Sequence, residues 1–167
     1  MSLAQDFYDL FKGSDIAHGT YVVMSNRETD GKKQGTAKVI REPTTVAMWE
    51  EHLKGSTRGL GIIPIKSDNT CHVSEPVEAE EMQRRLTELS AALGFAGSEI
   101  FPKQTTILLD RGDTGNFLNM PYFSGAKSTR YAFDQNAETL TPEEFIEYCK
   151  DYIVTPNQFR KLNMGFG

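Results

Sequence analysis

Two cysteines in 167 residues, Cys71 and Cys149, stand far apart and match no metal-ligand spacing. That argues against a zinc site or a disulfide framework, and in a cytosolic setting such a pair stays reduced. No run of about 18 apolar residues occurs, so no membrane span is expected. The N-terminus shows no basic-then-apolar leader, and the expected location is cytoplasmic. An excess of positive charge is missing too: the net charge is −5. Nonspecific affinity for DNA rests mainly on Lys and Arg neutralising phosphates, so a strong general nucleic-acid binder is not expected. Absent as well are the Gly-rich phosphate loop ending in Lys-Ser/Thr, the Gly-x-Ser-x-Gly elbow, the His-Glu-x-x-His pair and any internal repeat.

The charge that is present is uneven. Through Val73 the chain carries nine basic and nine acidic residues; beyond it, nine and fourteen. Any DNA contact is therefore expected to use a local patch. Arg27, Lys32, Lys33, Lys38 and Arg41 form one such group, although the favoured reading is a solvated hairpin whose charges keep its edge from aggregating. With 38% hydrophobic residues and ten phenylalanines, the chain can bury a core without metals or disulfides.

Periodicity and punctuation place the elements. A short helix is expected over Leu3–Phe11, with Gly13 as its stop. Strands over Gly19–Asn26 and Gly31–Arg41 flank an Asp30-Gly31 turn. Thr44 or Thr45 caps a helix that runs through Lys54 to a Gly55 stop, burying Met48, Trp49 and Leu53 and leaving His52 and Lys54 to complement its C-terminal dipole. Leu60–Ile65 reads as a strand covered on both faces. Met82, Leu86, Leu89 and Leu93 form one stripe of a helix over Val77–Leu93. Short strands are expected near Glu99–Phe101, Thr105–Leu109, Asn116–Met120 and Arg130–Phe133. Thr141-Pro142-Glu143-Glu144 opens a last helix with a capping box, its inner face formed by Phe145, Tyr148, Cys149 and Tyr152. The expected fold class is α+β, a mostly antiparallel sheet with flanking helices, in one domain over residues 1–155 followed by a polar tail over 156–167.

Several phrases are too unusual to be filler: Trp49-Glu-Glu-His-Leu-Lys-Gly55, Gly59-Leu-Gly-Ile-Ile-Pro-Ile65, Glu99-Ile-Phe-Pro-Lys-Gln104, Gly115-Asn-Phe-Leu-Asn-Met-Pro-Tyr-Phe123 and Arg130-Tyr-Ala132. Their order resembles the archaeo-eukaryotic primase-polymerase domain of the kind found in phages and TOTE conflict systems, from about Phe11 to about Thr155. The departure is as informative. In that family a strand with paired acids, a helix and a Ser-x-His strand lie between the Gly-Ile-Ile-Pro-Ile and Ser-Glu-Pro-Val phrases; here Ser67-Asp-Asn-Thr-Cys71 runs directly into His72-Val-Ser-Glu-Pro-Val77. Two-metal nucleotidyl transfer needs clustered carboxylates on a rigid element, and no such pattern is found in the sequence.

No catalytic residue or metal ligand is expected, and the candidates are set aside on context. Asp110 and Asp113 flank turn-like Arg111-Gly112, and His72 stands where a remnant of the family histidine would fall. No cofactor is expected, with Mg or Mn entering only if residual polymerase activity remains. Resemblance implies nucleotide or nucleic-acid contacts at Lys103, Asn116, Asn119, Tyr122 and Arg130. Amides can read a base edge without adding charge, and Tyr122 and Phe123 can stack on a base; the same residues serve equally to bridge loops and fill the core.

Loss of the central strands would expose a sheet edge that must be re-paired, covered or used. The expected function is that of a catalytically degenerate primase-polymerase-like protein of phage or mobile-element origin, acting by binding and inhibiting host defence or replication machinery. Its expected partner is a protein, or a second copy, at that edge; single-stranded DNA is a further expected partner, and a membrane is not. A primase-polymerase or nucleotide-binding module is the alternative.

Overall fold

Capping chemistry sets the helix ends. In the computed structural model, which describes residues 2–22 and 36–162, α1 spans Leu3–Leu10 and starts where Ser2 Oγ accepts the Gln5 amide at 3.2 Å. Helix α2, Val46–Lys54, starts on Thr45, whose Oγ1 accepts the Met48 amide at 3.3 Å. It ends on Gly55 at φ 81°, a left-handed position that suits a residue without Cβ.

Four strands form an antiparallel sheet in the order β2–β1–β3–β6, where β1 is His18–Val22, β2 Ala37–Ile40, β3 Arg58–Ile62 and β6 Leu118–Asn119. Gly19 faces Gly61 and Tyr21 faces Gly59 across the β1–β3 pair, so strand alternation gathers the glycines on one face and leaves Leu60 and Ile62 for the helices on the other. A Cβ at Gly19 would lie 2.1 Å from the Phe117 ring and one at Gly61 2.2 Å from it, while one at Gly59 would meet the Tyr21 ring at 2.2 Å. The glycines are a floor on which aromatic rings lie flat.

Past β3 the chain makes a small hairpin, β4 (Thr70–His72) with β5 (Pro76–Glu78), that leads directly into α3, Ala79–Ala92. Further along, α4, Pro142–Lys150, opens on the expected Thr141/Glu144 capping box.

Two cores result. Phe7, Trp49, Leu60, Ile62, Tyr122 and Ile146 fill the space beneath α1, α2 and α4. Ile63, Ile65, Cys71, Val77, Met82 and Ile107 form the second, beneath the β4–β5 hairpin and the start of α3.

The architecture is α+β with a mostly antiparallel sheet, as expected. Several local expectations are corrected. Residues 99–101, 105–109 and 130–133 form no strand; they are loops, with a 3-10 turn at Leu109–Arg111 and a single bridge between Phe133 and Thr139. Pro102 lacks an amide to donate and the turns at Gly112 and Gly115 break the run, so no ladder propagates. The stretch from Asn116 to Met120 contributes only the two residues of β6. Tyr148 and Tyr152 stack on each other, ring centroids 4.7 Å apart, with Tyr152 exposed, and Ile146 is the residue that α4 buries in its centre. The region after Thr155 begins as a helix, α5 (Pro156–Lys161), with its own Thr155/Gln158 capping box; Phe159 enters the second core, and Arg160 Nε reaches Glu81 on α3 at 2.9 Å. The turn expected between the first two strands, with Arg27, Lys32 and Lys33, lies outside the described residues. No helix among the described residues is long and apolar enough to cross a membrane.

Candidate functional site

Exposure rises along the α3 stripe. Met82 is buried, Leu86 and Leu89 are half-buried, and Leu93 is 56% exposed. The chain turns back after α3 and adds Phe95, 63% exposed, and then Ile100 and Phe101. With Leu118 of β6 these side chains line an apolar groove of about 750 Å³. Contiguous exposed apolar surface of this kind marks an interaction site far more often than isolated exposed residues do.

Polar contacts hold the groove in shape. Gln83 Nε2 donates to the carbonyls of Pro102 and Lys103, each at 3.0 Å, and so straps the returning loop to α3. Gln104 Oε1 accepts the Asn116 amide at 3.0 Å, and the Gln104 side-chain amide donates to Asn116 Oδ1, tying that loop to the segment that enters β6.

Among the described residues, strand β6 pairs with β3 alone. Met120 donates its amide to the Leu60 carbonyl at 3.0 Å. Antiparallel alternation then directs the Asn119 amide and carbonyl toward the free edge. The groove and the edge adjoin at Leu118.

The expected nucleic-acid residues are dispersed. Lys103 and Asn116 meet through Gln104 at the groove rim, and Asn119 lies half-buried in β6. Lys103 pairs with Glu99 and its Nζ sits 5.3 Å from the Phe101 ring centroid. Arg130 is separate from them, exposed, its guanidinium 5.9 Å from the Tyr21 centroid. Tyr122 does not offer a stacking face. It is 1% exposed and packs on Phe7 and Phe145, while its hydroxyl donates to the Leu140 carbonyl at 2.7 Å and accepts the Ala132 amide at 3.0 Å.

The acid candidates have local work. Asp110 is exposed on the 3-10 turn. Asp113 accepts the Leu108 amide at 3.1 Å and pairs with Arg111 at 2.6 Å, which together hold its carboxyl below the ordinary range, the Arg111 hydrogen bond being the larger cause. His72 sits half-buried on β4, its pKa lowered by burial and by Lys12 and Lys66. Among the described residues no three His, Cys, Asp or Glu side chains gather as a metal site would need. Burial also pushes the Cys71 thiol up to about 12, so it is no nucleophile at neutral pH.

His52 is the residue that sequence reasoning misplaced. It does not face solvent at the α2 terminus. It is 1% exposed; Nδ1 accepts the Leu60 amide at 2.9 Å and Nε2 donates to the Pro121 carbonyl at 2.7 Å. One neutral tautomer therefore joins α2, β3 and the turn after β6, and burial lowers its pKa. The Gly59-Leu60-Gly61 alternation is the signal that could have located the Phe117 ring. Nothing local distinguishes His52 from an ordinary helix-end histidine.

No protein-family model matches the chain, and no curated protein matches it either.

Proposed function

We propose that this protein is a primase-polymerase-like scaffold that works by binding, and that its partner is a protein offering an extended apolar segment flanked by basic residues. The observation that carries this reading is the apolar groove running up to the free edge of β6. Such a segment adds a strand at Asn119 through main-chain hydrogen bonds and places alternate side chains against Leu93, Phe95 and Leu118. Basic flanks suit a chain of net charge −5, whereas two copies facing each other would oppose charges of the same sign. Inhibition of host defence or replication machinery is the biological role proposed for this binding.

A labelled peptide alternating valine and lysine tests the reading by fluorescence anisotropy, with amide NMR shifts followed at Phe117–Met120. Saturable binding is expected, with shifts centred on Asn119 and loss on Leu93→Ser with Phe95→Ser. Binding that ignores both substitutions overturns it. So does a concentration-dependent dimer in sedimentation that the same substitutions dissolve, since the occupant is then a second copy. Labelled single-stranded DNA, with and without manganese and deoxynucleotides, forms the other arm: saturable, salt-sensitive binding lost on Lys103→Ala and Arg130→Ala would favour the nucleic-acid reading instead.

A further inference from the structure

Among the described residues that line the β6 groove, Glu99 alone is charged. It stands on the segment that returns from α3, and that segment is held at both ends. Phe95 donates its amide to the Ser90 carbonyl at 2.9 Å, and its own carbonyl accepts Ser90 Oγ at 2.9 Å and the Ser98 amide at 3.1 Å. Beyond Glu99, Gln83 secures the Pro102 and Lys103 carbonyls. The backbone that carries Glu99 and Phe101 is therefore ordered before any partner arrives, and binding has little backbone entropy left to remove.

Glu99 and Phe101 already form a seat for a cation. The Lys103 ammonium pairs with the Glu99 carboxylate and lies 5.3 Å from the centroid of the Phe101 ring, whose face attracts positive charge. Glu99 and Phe101 line the groove and Lys103 does not, so the seat opens on the groove while its occupant belongs to the rim. The side chains of the pair are 38% exposed at Lys103 and 70% exposed at Glu99. An ion pair in water contributes little to stability, so releasing the ammonium to solvent costs little.

We infer that the segment bound in this groove carries an arginine in its flank, and that this arginine displaces Lys103 from Glu99 and Phe101. The inference rests on the groove reading proposed above and adds the identity of the basic flank. A partner lysine would only repeat the contacts that Lys103 already makes. A guanidinium adds to them, because its planar fork donates two parallel hydrogen bonds to one carboxylate and its flat face stacks on an aromatic ring. Lys103 is then a placeholder that selects against lysine: a competing ammonium gains nothing by replacing it, whereas a guanidinium does.

Two labelled peptides with the same alternating valine–serine core, one flanked at both ends by arginine and the other by lysine, are titrated with the full chain by fluorescence anisotropy, with the valine–lysine peptide as reference. The arginine peptide is expected to bind about three- to tenfold more tightly, the scale of one added charge-assisted hydrogen bond. Glu99→Gln should erase that preference. Lys103→Met should tighten binding by about threefold or more, because it vacates the seat and removes a like charge beside the incoming guanidinium. Lys150→Met on α4, outside the groove, makes the same change in net charge and should alter affinity less. Glu99, Lys103 and Lys150 are exposed, so these variants fold, and a merely structural pair would leave the ratio of the two affinities unmoved. Equal affinity for the arginine and lysine peptides overturns the inference, as does weaker binding by Lys103→Met or equal tightening by Lys150→Met. The groove reading survives those outcomes if binding is still lost on Leu93→Ser with Phe95→Ser. Absence of saturable binding by all three peptides overturns both.

Discussion

The two cores of this molecule are finished to different degrees. Beneath α1, α2 and α4 the aromatic core is closed: Phe7 stacks on Trp49 with centroids 5.2 Å apart, Phe11 on Trp49 at 5.7 Å, and Tyr122 seals the layer with both polar bonds of its hydroxyl satisfied inside. The core beneath α3 is mostly aliphatic, assembled from short pieces, and runs out into open surface at Leu93 and Phe95. One core is spent on stability. The other leaves apolar surface facing water, a cost that a binding partner would offset.

The sharpest way to break that contrast is to empty the closed core. Trp49→Ala removes a fully buried ring and is expected to cost about 3–5 kcal/mol in chemical denaturation, enough to threaten folding of a domain this size. Trp49→Phe should cost far less. Trp49 Nε1 has no hydrogen-bond partner among the described residues, so ring volume and not the indole N–H carries the effect.

Next in size comes His52→Leu, which leaves the Leu60 amide and the Pro121 carbonyl buried without their partner. A loss of about 1–3 kcal/mol is expected at neutral pH. The wild-type chain carries a matching pH signature. Burial puts the folded-state pKa of His52 below its ordinary 6.5, so the unfolded chain binds more protons as the pH drops past that value. The stabilisation is complete above 6.5 and is lost as pH falls through the folded-state pKa. Denaturation midpoints measured across this window should fall with pH in the wild type. The slope should be shallower in His52→Leu, where His72, also shifted downward, is left to contribute.

These residues show what a sequence reveals and what it withholds. Helices α2 and α4 were legible because their ends are chemical signals: Thr45 with Gly55, and Thr141 with Pro142 and Glu144. Helix α5 uses the same Thr-Pro-x-Gln logic at Thr155–Gln158 but is six residues long and polar, so periodicity could not support it. The strands expected at 99–101 and 105–109 failed because a strand needs a partner that local pattern does not specify. At the candidate site the α3 stripe was readable, yet the fading of its burial toward Leu93 depends on what packs above it. Tyr122 shows the reverse: a ring suited to stacking on a base is instead the seal of the aromatic core.

Gly61→Ala tests the floor between the two cores. Its Cβ would lie 2.2 Å from the Phe117 ring, so either the ring lifts or β3 shifts, at about 1–3 kcal/mol. Because Phe117 immediately precedes Leu118, the same substitution should also disturb amide shifts across β6. An alanine at Gly97, with φ 95° but nothing within 4 Å, should disturb only its own loop.

The smallest expected effect on stability sharpens the contrast most. Leu93→Ser with Phe95→Ser replaces two large apolar side chains, a change that in the closed core would cost several kcal/mol. Both are more than half exposed, so the unfolded chain gains little by comparison, and a change within about 0.5 kcal/mol per site is expected in denaturant titration. Stability near the wild-type value together with loss of valine–lysine peptide binding would mean that the open end of the α3 stripe is kept for a partner. Destabilisation comparable to Trp49→Ala would instead mean that these residues close a core, and the distinction between the two halves would fall.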